Sequence, residues 1–176
     1  MVTVDRLVLL STALFATAAL LVLISISRPR WILSVNQGET SLGLIEICTI
    51  SSLTSNDQKC FVPHNIRFVW VLSFGLAIGA LGLLTLTIFL FLVSQYIQIS
   101  AIEYGRLTGF VAMIFLCLST VLFPMGFDAD IIGGSPFQLP TDYRIGSSYI
   151  AFVGATWLSV VSAIITGKMC LPRFVA

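Results

Sequence analysis

Charged residues divide this chain into long uncharged stretches. Each stretch is at least as long as the ~20 residues that a helix needs to cross a bilayer. The pattern therefore predicts four transmembrane helices, near residues 7–27, 68–96, 107–127 and 146–167, with loops at about 28–67 and 128–145. The bounding charges are Arg6 and Arg28, Arg67 and Glu103, Arg106 and Asp128, and Arg144 and Lys168.

The composition is typical of a membrane protein, whose main solvent is lipid. Hydrophobic residues make up 57% and charged residues 10% of the sequence, and the mean hydropathy is +1.03. The first apolar run is longer than the ~7 to 15 residues of a signal peptide, so we expect it to stay as a helix. No other stretch is long enough for a soluble domain. We predict one membrane domain over residues 1–176, mainly α, built as a four-helix bundle with a small extracellular β-sheet.

The orientation of the chain depends on two conflicting signals. With both termini in the cytoplasm, four Lys/Arg lie inside and five outside, so the positive-inside rule gives no support. Cys48 and Cys60 lie in one loop, however, and their pairing needs an oxidising compartment. We expect cytoplasmic termini and an external first loop at the plasma membrane. Two free thiols in a reducing compartment are the alternative.

The first loop carries a pattern of short β-prone runs. Residues 31–35 and 41–48 are such runs, and the polar residues 36–39 between them predict a hairpin. The polar residues 51–58 then turn the chain, so that residues 59–61 return alongside 47–49 and bring Cys48 and Cys60 into bonding range. Trp31 lies where the first helix meets water and is interpreted as an interface anchor, a role compatible with positioning the sheet.

The remaining cysteines lie at the spans and cannot join that disulfide. Cys117 is inside the third span, where a cysteine is usually a packing residue. Cys170 follows the fourth span beside a lysine, which makes it a candidate for palmitoylation.

Glycines recur four residues apart on two of the predicted helices. Gly75 and Gly79, with Gly82 nearby, lie on the second helix, and Gly105 and Gly109 start the third. Such spacing allows the backbones of two helices to approach closely. Packing within the bundle explains the pattern, and a lateral face of Gly75 and Gly79 for a partner helix is the alternative.

Candidate residues for catalysis or for cofactor and metal binding are missing. The four predicted spans contain no Asp, Glu, Lys, Arg or His, which argues against proton-coupled transporters, voltage sensors and intramembrane acid proteases. The only histidine, His64, has no partners for a metal site or a triad. We expect no enzyme activity, no cofactor, no nucleic-acid partner and no small-molecule substrate. The expected partners are membrane lipids and other membrane proteins.

Two sets of residues carry a family resemblance. Trp31, Gly43-Leu44-Ile45, Cys48 and Cys60 resemble the W, GLW, C, C signature of the claudin and peripheral myelin protein superfamily, with Ile45 in place of the second tryptophan. Over nearly the whole chain, the sequence is similar to the attenuator of hedgehog (modulator of smoothened) family. The matching motifs are residues 123–127, Gly133-Gly134, Leu139-Pro140, residues 146–149 and residues 167–172.

The resemblance implies both an architecture and a role. It implies a four-helix bundle under a sheet made mostly by the first loop, with one strand from the last loop. The implied protein is a noncatalytic adaptor and negative regulator of hedgehog signalling, which acts with a single-pass receptor-like protein and a ubiquitin ligase to lower surface and ciliary Smoothened. A claudin-like adhesion or barrier protein and an auxiliary channel subunit are the alternatives.

Overall fold

Four long helices form along the uncharged stretches. The computed structural model describes residues 2–34, 40–50, 58–62, 67–95, 100–128 and 132–168. Within these residues, four helices are long and apolar enough to cross a membrane, which makes the chain a multi-pass membrane protein. They are α1 (Val2–Ser27), α2 (Phe68–Ser94), α3 (Ser100–Met125) and α4 (Ser147–Lys168).

The third helix begins earlier than the charge pattern predicts. It starts at Ser100 rather than near residue 107, so Glu103 and Arg106 belong to its first two turns. Charges mark the end of an apolar run, whereas a helix can continue into water, and Glu103 interacts favourably with the positive end of the helix dipole. Pro124 lies in the last turn without ending the helix before Met125.

The helices bury many of their alanine, serine and threonine residues together with a few large side chains, and they expose many large aliphatic ones. Helix α2 shows this sorting, with leucines, isoleucines and phenylalanines on its outward face. Lipid solvates apolar side chains as well as the bundle does, so close packing decides what lies inside. The buried residues of α2 are Trp70, Ser73, Ala77, Ala80, Leu84, Thr87 and Phe91.

Hydroxyl groups pair across the helix interfaces. Ser11 of α1 shares a hydrogen bond with Ser162 of α4 at 2.7 Å, and Ser73 of α2 shares one with Ser119 of α3 at 2.9 Å. Two threonine pairs, Thr87 with Thr108 and Thr120 with Thr156, do the same for α2 with α3 and α3 with α4. Each such bond contributes about 0.6 kcal/mol in a membrane bundle.

The helices follow one another around the bundle. Helix α1 packs against α2 and α4, and α3 packs against the same two helices. Helices α2 and α4 therefore stand at opposite corners.

A five-stranded antiparallel sheet lies at one end of the bundle. Its strands are β1 (Ile32–Ser34), β2 (Thr40–Leu42), β3 (Ile47–Ile50), β4 (Gln58–Phe61) and β5 (Tyr143–Ile145), in the order β4-β3-β2-β1-β5. The last loop supplies β5, which pairs with β1. The predicted hairpin between the β-prone runs 31–35 and 41–48 is present as the pairing of β1 with β2. The second run is not one continuous strand, because a turn over residues 43–46 divides it into β2 and the start of β3.

Candidate functional site

The disulfide joins the outer strand β4 to β3. Cys48 lies directly opposite Cys60 in the register, with their Cα atoms 4.1 Å apart, as the predicted return of the chain requires. Cys48 is fully buried, and Cys60 is exposed. The two cysteines are 12 positions apart in the sequence, and closing this loop removes about 3 kcal/mol of unfolded-state entropy on the chain-entropy model.

The disulfide excludes metal binding at the one cluster of possible metal ligands among the described residues. Glu46, Cys48 and Cys60 bring three such groups within 4.8 Å of one another. Metal binding by cysteine requires a thiolate, and both sulfurs are already bonded to each other. The cluster therefore does not form a metal centre.

Trp31 is a core residue, so its interpretation as an interface anchor is wrong. Only 1% of its surface is exposed. Its ring lies 4.8 Å from that of Phe123, 5.2 Å from that of Phe152 and 5.8 Å from that of Tyr149. These four residues are called the Trp31 cluster below. The cluster holds the start of the sheet against α3 and α4.

Hydrogen bonds fix the Trp31 indole and backbone to three other segments. The indole Nε1–H donates to the carbonyl of Ser25 in α1 at 3.0 Å. The backbone N–H donates to Leu42 of β2 at 3.0 Å, and the carbonyl accepts from the N–H of Gly146 at 2.8 Å. One tryptophan thus links the end of α1, the sheet and the segment that enters α4.

The entry to α4 packs tightly against the chain before β1. A Cβ at Gly146 would overlap the carbonyl of Arg30, so only glycine fits there. The backbone N–H of Ser148 donates to that carbonyl at 3.1 Å, and its hydroxyl donates to the carbonyl of Arg28 at 3.0 Å. The hydroxyl of Ser25 in turn donates to the carbonyl of Ser148 at 2.7 Å.

The Gly43-Leu44-Ile45 triplet forms the turn between β2 and β3. Gly43 donates its N–H to the carbonyl of Glu46 at 2.7 Å, and a Cβ there would lie 3.0 Å from the Cα of Pro29. Leu44 is buried, and Ile45 is half-buried. Together they line a cavity of about 270 Å³ between the turn, the end of α1 and Phe74 of α2.

A second tryptophan, which the sequence reasoning did not single out, joins α2 to the end of α3. The Trp70 indole donates to the carbonyl of Phe123 at 3.3 Å, and Gly126 leaves room for its ring. Nearby, the guanidinium of Arg67 donates to the backbone carbonyl of Asp128 at 2.9 Å and lies 3.4 Å from its carboxylate. The motif at residues 123–127 is the sequence signal that could have pointed to Trp70. It contains Phe123, whose carbonyl accepts the indole hydrogen bond, and Gly126, which makes room for the ring.

The outer edge of the sheet exposes apolar side chains. Strand β4 is the last in the strand order, so its far side pairs with no other strand in the described part of the chain. Phe61 is 54% exposed, and Val62, which follows it, is 58% exposed. At the opposite edge, Ile145 of β5 is 51% exposed.

The glycine pairs behave differently on α2 and α3. A Cβ at Gly105 would meet the Phe91 ring at 2.6 Å, and one at Gly109 would meet the Phe15 ring at 2.9 Å, so both allow close helix packing. A Cβ at Gly79 would lie 3.3 Å from the side chain of Phe115 in α3, whereas one at Gly75 would have no neighbour within 4 Å. Bundle packing accounts for Gly79 but not for Gly75.

Gly82 is likewise open, with no neighbour within 4 Å of a Cβ. A partner-helix face on α2 therefore stays a prediction. Cys117 is half-buried within α3, which fits a packing role. The palmitoylation candidate Cys170 lies outside the described residues, as does His64.

A protein-family model matches most of this chain. A family model described as Attenuator of Hedgehog matches residues 28–172, which include both sheet-forming loops and three of the four helices. The match therefore covers the Trp31 cluster, the disulfide and the entry to α4. This chain belongs to the attenuator of hedgehog family.

Proposed function

We propose that this protein is a noncatalytic membrane adaptor that attenuates hedgehog signalling, and that its sheet binds the ectodomain of a partner along β4. Membership of a family of signalling modulators, rather than of enzymes, supports the attenuating role. The observation that carries the binding site is the exposed apolar edge of β4. Its geometry is fixed by the disulfide to β3.

An exposed edge strand is a ready template for another strand. It presents unpaired backbone N–H and C=O groups, and proteins normally cover or charge such edges. Here Phe61 and Val62 add apolar surface at the end of the strand. A partner strand that paired with β4 would satisfy the backbone groups and cover these side chains. The disulfide would reduce the conformational entropy that β4 loses on binding, because the strand is already held in place before the partner arrives.

The family resemblance supports a more specific version of the role. In this version, the partner is a single-pass receptor-like protein that works with a ubiquitin ligase to lower Smoothened at the plasma membrane and primary cilium. The termini would be cytoplasmic and the sheet extracellular. The open glycines Gly75 and Gly82 on α2 offer a second, lateral contact for the partner's transmembrane helix. A sheet with Trp31, Cys48 and Cys60 above four helices supports the claudin-like superfamily placement.

The test is purification of the tagged protein from native membranes in a mild detergent, followed by mass spectrometry. We expect a receptor-like protein and a ubiquitin ligase in near-equal amounts with the wild type. Phe61→Ser should remove both, because it places a polar group in the proposed contact. Ile145→Ser is the matched control, since it changes an equally exposed apolar residue on the opposite edge of the sheet.

A cellular readout separates binding from signalling. In cells lacking the protein, wild type and Ile145→Ser should lower surface Smoothened, and Phe61→Ser should not. Full activity of Phe61→Ser would contradict the β4 contact. Recovery of only the protein itself with junction proteins would favour adhesion, and recovery of a pore-forming protein would favour a channel subunit.

A further inference from the structure

The outward face of α4 forms a continuous apolar stripe. Its members recur at alternating intervals of four and three residues, which is the period of a helix seam that packs against another helix. The exposed fractions are 63% for Ile150, 68% for Trp157, 43% for Val161 and 55% for Ile164. Gly154 completes the stripe, with nothing within 4 Å of a Cβ placed there.

Trp157 occupies an unusual depth for a tryptophan. The apolar span of α4 runs from Ser147 to Gly167, so Trp157 lies at its midpoint. At 1.5 Å per residue, the indole is about 15 Å from either end of the span, near the bilayer centre. Tryptophans on lipid-facing surfaces concentrate instead at the two membrane interfaces, where the N–H can reach water or headgroups.

The indole N–H of Trp157 makes no hydrogen bond to any described residue. The other two tryptophans do, since Trp31 donates to Ser25 and Trp70 donates to Phe123. An unmet donor is costly in hydrocarbon, because lipid tails contain no acceptor. The exposed indole therefore calls for an acceptor that comes from outside this chain and reaches the middle of the membrane.

We propose that a transmembrane helix of a different protein packs along this stripe and places a side-chain hydroxyl or amide oxygen against the indole N–H of Trp157. Gly154, one turn away, leaves a hollow that allows the two backbones to approach closely. A second copy of this chain packed stripe against stripe does not meet the requirement, because that symmetric pair offers only apolar side chains beside the indole. A copy packed through another of its helices would make a heterologous contact that does not close into a dimer. Lipid alone does not meet it either.

This surface is separate from those of the proposed function. Helix α4 stands at the corner opposite α2, so the stripe points away from Gly75 and Gly82. It lies within the membrane and does not include β4. The inference therefore stands whether or not the partner of the sheet proves to be a receptor-like protein.

The experiment is photo-crosslinking in intact membranes of cells that express the full chain. Benzoylphenylalanine placed at Val161 should form an adduct with a transmembrane peptide of another protein that carries Ser, Thr, Asn or Gln within one turn of the crosslink. The same probe at Phe89, which is 61% exposed on α2, is the matched control and should not capture that peptide. Capture of only lipid, or of only this chain, from Val161 would overturn the proposal.

The role of the indole N–H is tested in the same format. Trp157→Phe keeps an aromatic ring but removes the donor, and it should lower the yield of the Val161 adduct about three- to fifteen-fold. Phe89→Leu should leave that yield unchanged. An unchanged yield in Trp157→Phe would overturn the assignment of the hydrogen bond. The first crosslinking experiment keeps Trp157 unchanged. Its outcome therefore does not depend on whether the Trp157→Phe variant folds.

Discussion

Replacing Trp31 with alanine should destabilise the protein more than any comparable change at its surface. Trp31 is almost completely buried, with three aromatic neighbours and a hydrogen bond from its indole to Ser25. Truncation of a buried tryptophan to alanine costs about 3–5 kcal/mol. We expect the upper part of this range, because the ring contacts and the indole bond are lost together.

Trp31→Phe divides this loss into two parts. Phenylalanine keeps much of the ring contact with the Trp31 cluster but cannot donate to the Ser25 carbonyl. The expected cost is about 1–2 kcal/mol, which combines one lost hydrogen bond with a small cavity. Against a typical total stability of about 5–15 kcal/mol, the alanine variant would lose about a quarter or more of the free energy of unfolding.

The assay is reversible unfolding by SDS titration in mixed micelles, followed by circular dichroism. Trp157→Ala is the control, because it removes the same side chain from an exposed position and should cost less than about 1 kcal/mol. Equal losses for the two alanine variants would refute the reasoning. So would a Trp31→Ala variant within about 1 kcal/mol of wild type.

Three further predictions follow from the sheet, the helix contacts and the C-terminal cysteine. Changing Cys48 or Cys60 to serine should cost about 3 kcal/mol and abolish partner copurification, and normal partner recovery by either variant would contradict the disulfide's role in holding β4. Gly146→Ala should lower the unfolding midpoint in the same SDS titration, since a Cβ would overlap the carbonyl of Arg30. Gly75→Ala is the control and should leave the midpoint unchanged, because a Cβ there has no neighbour within 4 Å. A larger loss in Gly75→Ala than in Gly146→Ala would contradict the packing. Cys170→Ser should remove a mass shift in an acyl-exchange assay, and no shift in wild type would rule out palmitoylation.

The helices and the disulfide could be predicted from the sequence because they depend on local signals. Lipid exposure requires long uncharged runs, which are visible without knowing the fold. The pairing of Cys48 with Cys60 follows from two β-prone segments joined by a short polar turn. The register places them directly opposite each other.

The role of Trp31 could not be predicted in this way. A tryptophan that follows a transmembrane helix has the same local pattern whether it lies at the interface or in the core. Its burial depends on Phe123, Tyr149 and Phe152, which come about ninety or more residues later in the sequence. Similarly, the exposure of Gly75 depends on where α3 lies, so the spacing of glycines alone could not separate Gly75 from Gly79.

The origin of β5 imposes an order on biosynthesis. The disulfide joins residues within the first loop, so it can form as soon as that loop reaches an oxidising compartment. Strand β1 and Trp31, in contrast, receive β5, Tyr149 and Phe152 only after the ribosome has made the last loop and the start of the fourth helix. Until then, the β1 edge lacks its pairing with β5, and the indole has only Phe123 of the Trp31 cluster beside it. A nascent chain that is oxidised at this stage therefore lacks β5 and two of the three aromatic neighbours of Trp31.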